Sequence, residues 1–215
     1  MIWISDEWKD YEVLDTSNGE RLERWGKYLL VRPDPQVIWN TPHVDPGWKK
    51  YHARYVRSSS GGGHWTDHKL PERWQIRYKD YLTFNVKPMN FKQTGVFPEQ
   101  AANWDFIREK VASANRPVRV LNLFAYSGGA TLAAAAGGAE VYHVDASKGM
   151  VAWAKENAKS SGTSASKSVS EPEKEKGAEK EESALNTELP LPPALRIEWK
   201  AETSRPAGKE QVRVP

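Results

Sequence analysis

Two short segments in the first half of the chain alternate apolar and polar residues, as strands do when only one face is buried. They are 74–79 and 82–86, and only two residues separate them. The alternation and the short connection predict a β-hairpin. Upstream, the Ser- and Gly-rich stretch 58–63 predicts a flexible loop. We interpret residues 1–88 as a small, aromatic-rich β domain.

The hydrophobic pattern changes after Pro88. Between 99 and 114 the apolar residues recur close to helical spacing, which predicts one helix. After Pro117, residues 118–124 form a nearly continuous apolar run. Such a run is typical of a strand that is buried on both faces of a parallel sheet.

A second alternation of helix and strand follows this run. Residues 130–136 are rich in alanine and predict a helix that a Gly-Gly pair ends. The segment 140–145 predicts a second strand, and 150–160 predicts a second helix with Ser147 as its N-cap. The order β-α-β-α begins a doubly wound sheet. We therefore predict an α/β fold, the N-terminal half of a Rossmann-like sheet preceded by the small β domain.

The end of the chain has a different composition. From 163 to 193 it consists mainly of Ser, Glu, Lys and Pro with few large apolar residues. Such a segment buries too little apolar surface to fold, which predicts a disordered linker. The remainder, 194–215, is predicted to be a tail with one possible strand near its start. The predicted domains are therefore 1–88 and 89–162, followed by the linker and tail.

Composition and charge exclude several function classes. The chain has no cysteine, so it has no disulfide framework, thiolate metal site or cysteine nucleophile. The histidines lack metal-ligand spacing, and we expect no metal. No apolar run approaches the ~20 residues that span a bilayer, and the acidic N-terminus is unlike a targeting peptide. We expect a cytoplasmic or organelle-matrix protein without a membrane partner. A net charge of +3 favours a nucleic-acid partner only weakly.

Candidate chemistry concentrates where the predicted strands end. Ligands of open parallel sheets bind at the carboxyl ends of the strands, so the turn 126–129 and Asp145 would face one crevice. Gly128 and Gly129 would let backbone N–H groups approach a ligand, and Asp145 would accept hydrogen bonds from both hydroxyls of a ribose. Two alternatives remain open, a tight turn without a ligand for the glycines and helix capping for Asp145. The absence of G-x-G-x-x-G disfavours NAD and FAD.

These motifs resemble those of a known enzyme family. The segments are VLNLFAYSGG at 120–129, VDAS at 144–147 and TGVFPEQ at 94–100. Together they are similar to class I S-adenosylmethionine-dependent methyltransferases related to bacterial 23S rRNA (cytosine-C5) methyltransferases. The likeness covers about residues 1–162. It implies S-adenosylmethionine as the cofactor and makes RNA a candidate partner.

The resemblance also implies which residues bind the cofactor. They are Thr94, Phe97, Gln100, Asn122, Phe124, Tyr126, Ser127, Gly128, Gly129, Asp145, Ala146 and Ser147. Asp145 would hold the ribose, and the 94–100 segment would close the site. A structural alternative stays open for that segment, in which Val96 and Phe97 anchor it by packing and Gln100 only begins a helix.

The sequence also departs from this family. Its members carry an Asp-Pro-Pro type of motif at the end of the fourth strand, where the methyl acceptor is presented, and none follows Gly162. Without a cysteine, cytosine-C5 chemistry by this chain alone is excluded. We therefore expect a truncated methyltransferase that is inactive alone, with no assigned catalytic residue. The alternatives are a non-catalytic fragment and an RNA-binding module built on the β domain. For the basic and aromatic residues of that domain, an aromatic core with exposed arginines is favoured over an RNA platform.

Overall fold

The computed structural model describes residues 3–66, 69–162 and 197–201. The predicted disordered linker, 163–193, lies outside the described residues, as does most of the predicted tail. Within the described ranges the chain forms ten strands, three α-helices and two short 3-10 turns. None of the described helices is long and apolar enough to cross a membrane.

Seven strands precede the first α-helix. They are β1 (Tyr11–Ser17), β2 (Glu20–Trp25), β3 (Tyr28–Pro33), β4 (Ala53–Arg57), β5 (Gly63–Thr66), β6 (Trp74–Tyr78) and β7 (Leu82–Val86). The first five form one sheet in the order β1-β2-β3-β4-β5, with a parallel pairing only between β3 and β4. β6 and β7 form the predicted antiparallel hairpin, in which Ile76 lies opposite Phe84 and both are fully buried.

The second half of the chain combines helices with a parallel sheet. Its elements are α1 (Ala101–Ala112), β8 (Arg119–Leu123), α2 (Gly129–Ala136), β9 (Glu140–Asp145), α3 (Lys148–Ser160) and β10 (Ile197–Ala201). β9 lies in the centre, with β8 and β10 parallel on either side. This β-α-β-α order and the parallel pairing confirm the predicted α/β fold. The possible strand of the tail is present as β10.

Local signals explain where the helices begin and end. The Ser147 hydroxyl accepts a hydrogen bond from the backbone N–H of Met150 at 3.3 Å, which confirms it as the N-cap of α3. At the end of α2, Gly138 adopts a φ of +99° and its N–H donates to the carbonyl of Ala135. That left-handed conformation favours glycine, so the Gly-Gly pair ends the helix as predicted.

Strand β8 is half-buried on one face and exposed on the other. Asn122 is half-buried and bonded to α2, whereas Leu121 and Leu123, on the opposite face, are 63% and 51% exposed. The prediction of a strand buried on both faces is therefore wrong for the described part of the chain. An apolar run indicates burial only where a second layer packs on the sheet, and no described element covers Leu121 and Leu123.

One hydrophobic core extends through both halves of the chain. The ring centroid of Trp104 on α1 lies 6.0 Å from the ring centroid of Trp8 and 5.0 Å from that of Phe84. Tyr55 and Tyr78 are 4% and 1% exposed, which confirms that the aromatics of these strands form core. The predicted domain boundaries remain predictions.

A charged pair lies within the N-terminal sheet. The Glu23 carboxylate is fully buried and accepts hydrogen bonds at 2.7 Å from Nη2 of Arg32 and from the hydroxyl of Tyr11. Burial alone would raise the pKa of Glu23, but the charge and hydrogen bonds of Arg32, together with the charge of Arg21 and the hydrogen bond from Tyr11, outweigh it and hold that pKa below its usual range. Nη1 of Arg32 donates to the carbonyl of Lys92 at 3.1 Å. The pair therefore ties the sheet to the segment that follows β7.

Candidate functional site

The turn between β8 and α2 has an unusual backbone. Phe124 and Tyr126 have φ values of +54° and +50°, and Gly128 has +90°. Residues other than glycine rarely adopt this left-handed backbone conformation, and those that do are concentrated at functional sites. The N–H of Ala125 donates to the carbonyl of Val144 on β9 at 3.1 Å, which keeps the turn beside the end of that strand. Phe124 is 89% exposed and Tyr126 is half-buried.

Asp145, the last residue of β9, connects this turn to α3. Its Oδ2 accepts a hydrogen bond from the backbone N–H of Tyr126, and its Oδ1 accepts one from the N–H of Ser147, each at 2.8 Å. A carboxylate oxygen has two lone pairs, so each oxygen can accept one more donor. The half-buried side chain is thus fixed in place and able to bind hydroxyl groups of a ligand. Ala146, the next residue, is exposed beside it.

Packing explains both glycines of the turn. A Cβ added to Gly129 would lie 2.6 Å from a ring carbon of Trp104, and one added to Gly128 would lie 3.0 Å from the Cβ of Ala154. The start of α2 therefore lies too close to α1 for a side chain at Gly129, and a side chain at Gly128 would be in tight contact with α3. This supports the tight-turn alternative for the glycines and leaves the approach of a ligand to the backbone as a proposal.

A chain of polar side chains lies under the turn. Nδ2 of Asn122 donates to Oγ1 of Thr131 at 2.8 Å, and that oxygen is 2.9 Å from Nδ1 of His143. His143 is fully buried, and its burial lowers its pKa from 6.5 to about 4, so the ring is neutral at pH 7. Asn122, implied as a cofactor residue, is therefore bonded to α2. Sequence reasoning missed Thr131 and His143, although polar residues among apolar ones were a usable signal.

The residues of the segment 94–100 differ in how they are placed relative to the turn between β8 and α2. The ring of Phe97 lies 5.1 Å from that of Tyr126, so Phe97 reaches the turn. Thr94 is fully buried, and its hydroxyl has no hydrogen-bond partner among the described residues. Gln100 is exposed before α1, and its side-chain oxygen accepts a hydrogen bond from Asn103. The structure thus brings Phe97, but not Gln100, to the turn.

Ser127 completes the set of residues that the sequence implied. It is 3% exposed, and its carbonyl accepts a hydrogen bond at 2.9 Å from Nδ2 of Asn157 on α3. Asn157 is fully buried, and its Oδ1 in turn accepts from the N–H of Asn85 at 2.8 Å. The turn is therefore connected through α3 to the β6–β7 hairpin. Sequence reasoning missed Asn157, which lies on the buried face of its helix.

A cleft of about 1050 Å³ lies beside this turn. Its walls come from β5, the segment after β7 and the first turns of α3, with Trp65, Met89 and Met150 among them. The hydroxyl of Tyr126 is 3.7 Å from Sδ of Met89, so the cleft adjoins the turn. Because the walls come from distant segments, no local motif indicated the cleft. The described residues contain no group of three or more potential metal ligands.

Comparison with known proteins places this chain in one family. Residues 20–174 match the family profile of the S-adenosylmethionine-dependent methyltransferases. A SAM-dependent methyltransferase from Agrobacterium tumefaciens has a similar structure, with a TM-score of 0.69 and 40% identity over 75% of this chain and 52% of that one. A candidate methyltransferase complexed with SAH has a TM-score of 0.51, 19% identity and coverage of 72% of this chain and 43% of its own, which shows a shared fold.

A ribosomal RNA methyltransferase is also similar in sequence. The ribosomal RNA large subunit methyltransferase K/L of Magnetococcus marinus is 43% identical over 77 residues, which is 35% of this chain and 10% of that protein. This chain thus spans about half of the Agrobacterium protein and a tenth of the Magnetococcus protein.

Proposed function

This chain belongs to the S-adenosylmethionine-dependent methyltransferase family, and from that premise we propose that it binds S-adenosylmethionine at the Asp145 turn and serves methyl transfer to RNA. The family match confirms the cofactor expected from the sequence. The observation that best supports the site is the Asp145 carboxylate, which the N–H groups of Tyr126 and Ser147 fix beside the exposed turn.

The chain's own residues fit this cofactor. Asp145 retains free lone pairs for the two ribose hydroxyls, and the adjoining rings of Phe97 and Tyr126 offer an apolar surface. The buried Thr94 hydroxyl, which lacks a partner among the described residues, is a further polar group on that segment. A bound sulfonium supplies an already activated methyl group, so the protein's task is to align the acceptor and exclude water. No catalytic residue is assigned.

RNA is the acceptor that the comparisons favour. The Magnetococcus relative is named as a ribosomal RNA methyltransferase, and we extend that substrate class to this chain as a proposal. Its 215 residues contain no cysteine, so a cysteine nucleophile for cytosine-C5 transfer is not among them. Action on RNA would agree with the cytoplasmic location that we expect. We also propose residues 89–162 as the cofactor-binding domain, after a β domain of residues 1–88.

Calorimetric titration with S-adenosylhomocysteine tests the cofactor site. We expect the parent chain to bind it and Asp145→Ala to bind at least about tenfold more weakly, since a charge-assisted hydrogen bond contributes about 1.5 to 3 kcal/mol. Asp45→Ala is the matched control, because Asp45 also accepts a backbone N–H, that of Gly47 at 2.7 Å, but lies in the N-terminal half. No binding by the parent, or equal affinity for parent and Asp145→Ala, would overturn the proposal.

A further inference from the structure

The cleft beside the turn, here called the aromatic cleft, has mainly apolar walls. Its aromatic and thioether side chains are Trp65, Met89, Phe91, Met150 and Trp153. The same walls contain one lysine, Lys87, and one carboxylate, Glu72. The ion pairs found among the described residues include neither of these two. One cation and one anion suit a neutral ligand with polar edges better than a row of phosphates.

Both tryptophans of the cleft are anchored through their indole nitrogens. Nε1 of Trp65 donates to the carbonyls of Met89 at 2.9 Å and Phe91 at 3.3 Å. Nε1 of Trp153 donates to the carbonyl of Asn85 at 2.9 Å. Because each N–H already has its acceptor, the two rings offer only apolar surface to a ligand.

An exposed ring is held at the edge of the cleft. Phe91 is 47% exposed and lies in the loop 87–94. The ends of this loop are bonded, since the N–H of Lys87 donates to the carbonyl of Thr94 at 3.1 Å. The hydrogen bond from Trp65 fixes the backbone of Phe91 within the loop. The ring of Phe91 is thus kept at the cleft as a flat surface for stacking.

The two charged side chains offer complementary hydrogen bonds. Nζ of Lys87 lies 4.7 Å from the ring centre of Trp153, so an ammonium donor is held over the aromatic wall. The exposed carboxylate of Glu72 is an acceptor. A nucleobase combines a flat apolar face with an edge that carries both acceptors and donors. A lipid chain has no such edge, and a phosphate has no such face.

We propose that the aromatic cleft binds an unpaired base of the RNA acceptor. The base stacks on the apolar walls, as unstacked RNA bases do on protein aromatics, and its edge bonds to Lys87 and Glu72. The inference rests on the proposed function, because it takes RNA as the acceptor, and it adds the pocket that holds the base. The 3.7 Å contact between Met89 and Tyr126 places that pocket beside the cofactor turn.

Fluorescence anisotropy with two labelled probes of about 12 units tests whether the cleft binds bases. One probe is single-stranded RNA, and the other has the same phosphates but tetrahydrofuran spacers in place of nucleosides. We expect the parent to bind RNA at least about fivefold more tightly than the spacer probe, the lower end for one stacked base. Equal affinity for the two probes would overturn the proposal.

The same probes test the stacking surface. Phe91→Ala should weaken RNA binding by about fivefold or more and leave binding of the spacer probe unchanged. Phe106→Ala is the matched control, because Phe106 is similarly exposed at 44% but lies on α1 against Trp3. Equal effects of the two substitutions on RNA binding would overturn the role of Phe91.

Salt titration distinguishes a base contact of Lys87 from a phosphate contact. Lys87→Gln should weaken RNA binding without changing the slope of log affinity against log salt, because a contact to a base releases no counterion. Lys110→Gln, at the end of α1, should change neither affinity nor slope. A slope smaller by about 0.7 for Lys87→Gln, the value for one phosphate contact to a single strand, would overturn its role at the base.

The sign of the Glu72 effect gives a further test. Glu72→Ala removes a negative charge, so it would tighten binding if RNA met the cleft through phosphates alone. We expect weaker RNA binding instead, because the base loses an acceptor. Tighter binding would overturn the role of Glu72.

Calorimetry with S-adenosylhomocysteine separates this pocket from the cofactor site. Phe91→Ala should bind S-adenosylhomocysteine as the parent does, and a loss of that affinity would assign the cleft to the cofactor and overturn the proposal. RNA binding is measured without cofactor. Equal affinity for both probes with normal S-adenosylhomocysteine binding overturns only the base pocket. A preference for RNA without S-adenosylhomocysteine affinity supports the pocket and overturns the proposed cofactor site.

Discussion

The backbone N–H of Tyr126 donates a hydrogen bond to Oδ2 of Asp145 at 2.8 Å, so the end of β9 is bonded to the turn that follows its neighbour β8. The other oxygen of Asp145 accepts from the N–H of Ser147 at the start of α3. The carboxylate therefore stabilises the protein whether or not a cofactor is bound. The side chain of Asp145 therefore belongs to the candidate site and also stabilises the fold locally.

This dual role predicts an effect of Asp145→Ala on the free protein. Two backbone N–H groups lose their acceptor, and we expect the free energy of unfolding to fall by about 1 to 3 kcal/mol. Urea denaturation measures the change, and hydrogen exchange should be faster at Tyr126 and Ser147 than in the parent. Unchanged exchange at both amides would contradict the role of these hydrogen bonds.

Alanine substitution is expected to change stability in opposite directions at Gly129, which is closely packed, and at Gly149, which has free space beside it. Gly129→Ala places a Cβ 2.6 Å from the ring of Trp104, and such overpacking costs about 1 to 3 kcal/mol. Gly149→Ala is the matched control, because in α3 its nearest neighbour would be Oγ of Ser147 at 3.7 Å. That substitution should stabilise the protein by up to about 1 kcal/mol. Thermal unfolding of both variants measures the difference, and equal midpoints would contradict the packing account.

The buried His143 predicts a loss of stability in acid. Its pKa is lowered from 6.5 to about 4 in the folded protein, so between these values the unfolded chain binds more protons. Its contribution is complete above pH 6.5 and falls as the pH approaches 4, by an amount on the order of 3 kcal/mol. Urea midpoints across this range should depend less on pH in His143→Gln. The exposed His64 provides the control, since His64→Gln should retain the parent's pH dependence.

The buried ion pair predicts a strong non-additivity. Arg32→Met removes the hydrogen-bonded cation of the fully buried Glu23 carboxylate and leaves it only Arg21, whose Nε lies 3.1 Å from Oε1, so it should cost up to about 3 to 5 kcal/mol. The double variant Glu23→Leu/Arg32→Met removes both charges and should be more stable than Arg32→Met alone. Arg73→Met provides the surface control, because Arg73 and Glu156 are both nearly half exposed, and should cost at most about 1 kcal/mol. Denaturant titration of the parent, Glu23→Leu, Arg32→Met and the double variant gives the free energy of unfolding of each. Additive losses of that free energy would contradict coupling between Glu23 and Arg32.

The elements that sequence reasoning predicted well depend on short-range physics. The β6–β7 hairpin follows from alternation over ten residues and a short turn, and the start of α3 follows from the capping hydroxyl of Ser147. Strand β9 has the predicted bounds, Glu140–Asp145. In each case the residues that decide the structure are close together in the chain. The proximity of Asp145 to the turn also follows, since parallel strands end at one edge of a sheet.

The sequence by itself therefore determined the order of the elements from β6 to α3, the family and the strand end where a ligand is expected. The tertiary structure decided which neighbours each residue meets. Only packing shows that Trp104 excludes a side chain at Gly129, that the face of β8 with Leu121 is exposed, and that Trp65, Lys87 and Met150 line one cleft. The physical reason is that hydrophobic periodicity and capping act over a few residues, whereas burial, steric exclusion and summed charge depend on segments far apart in the chain.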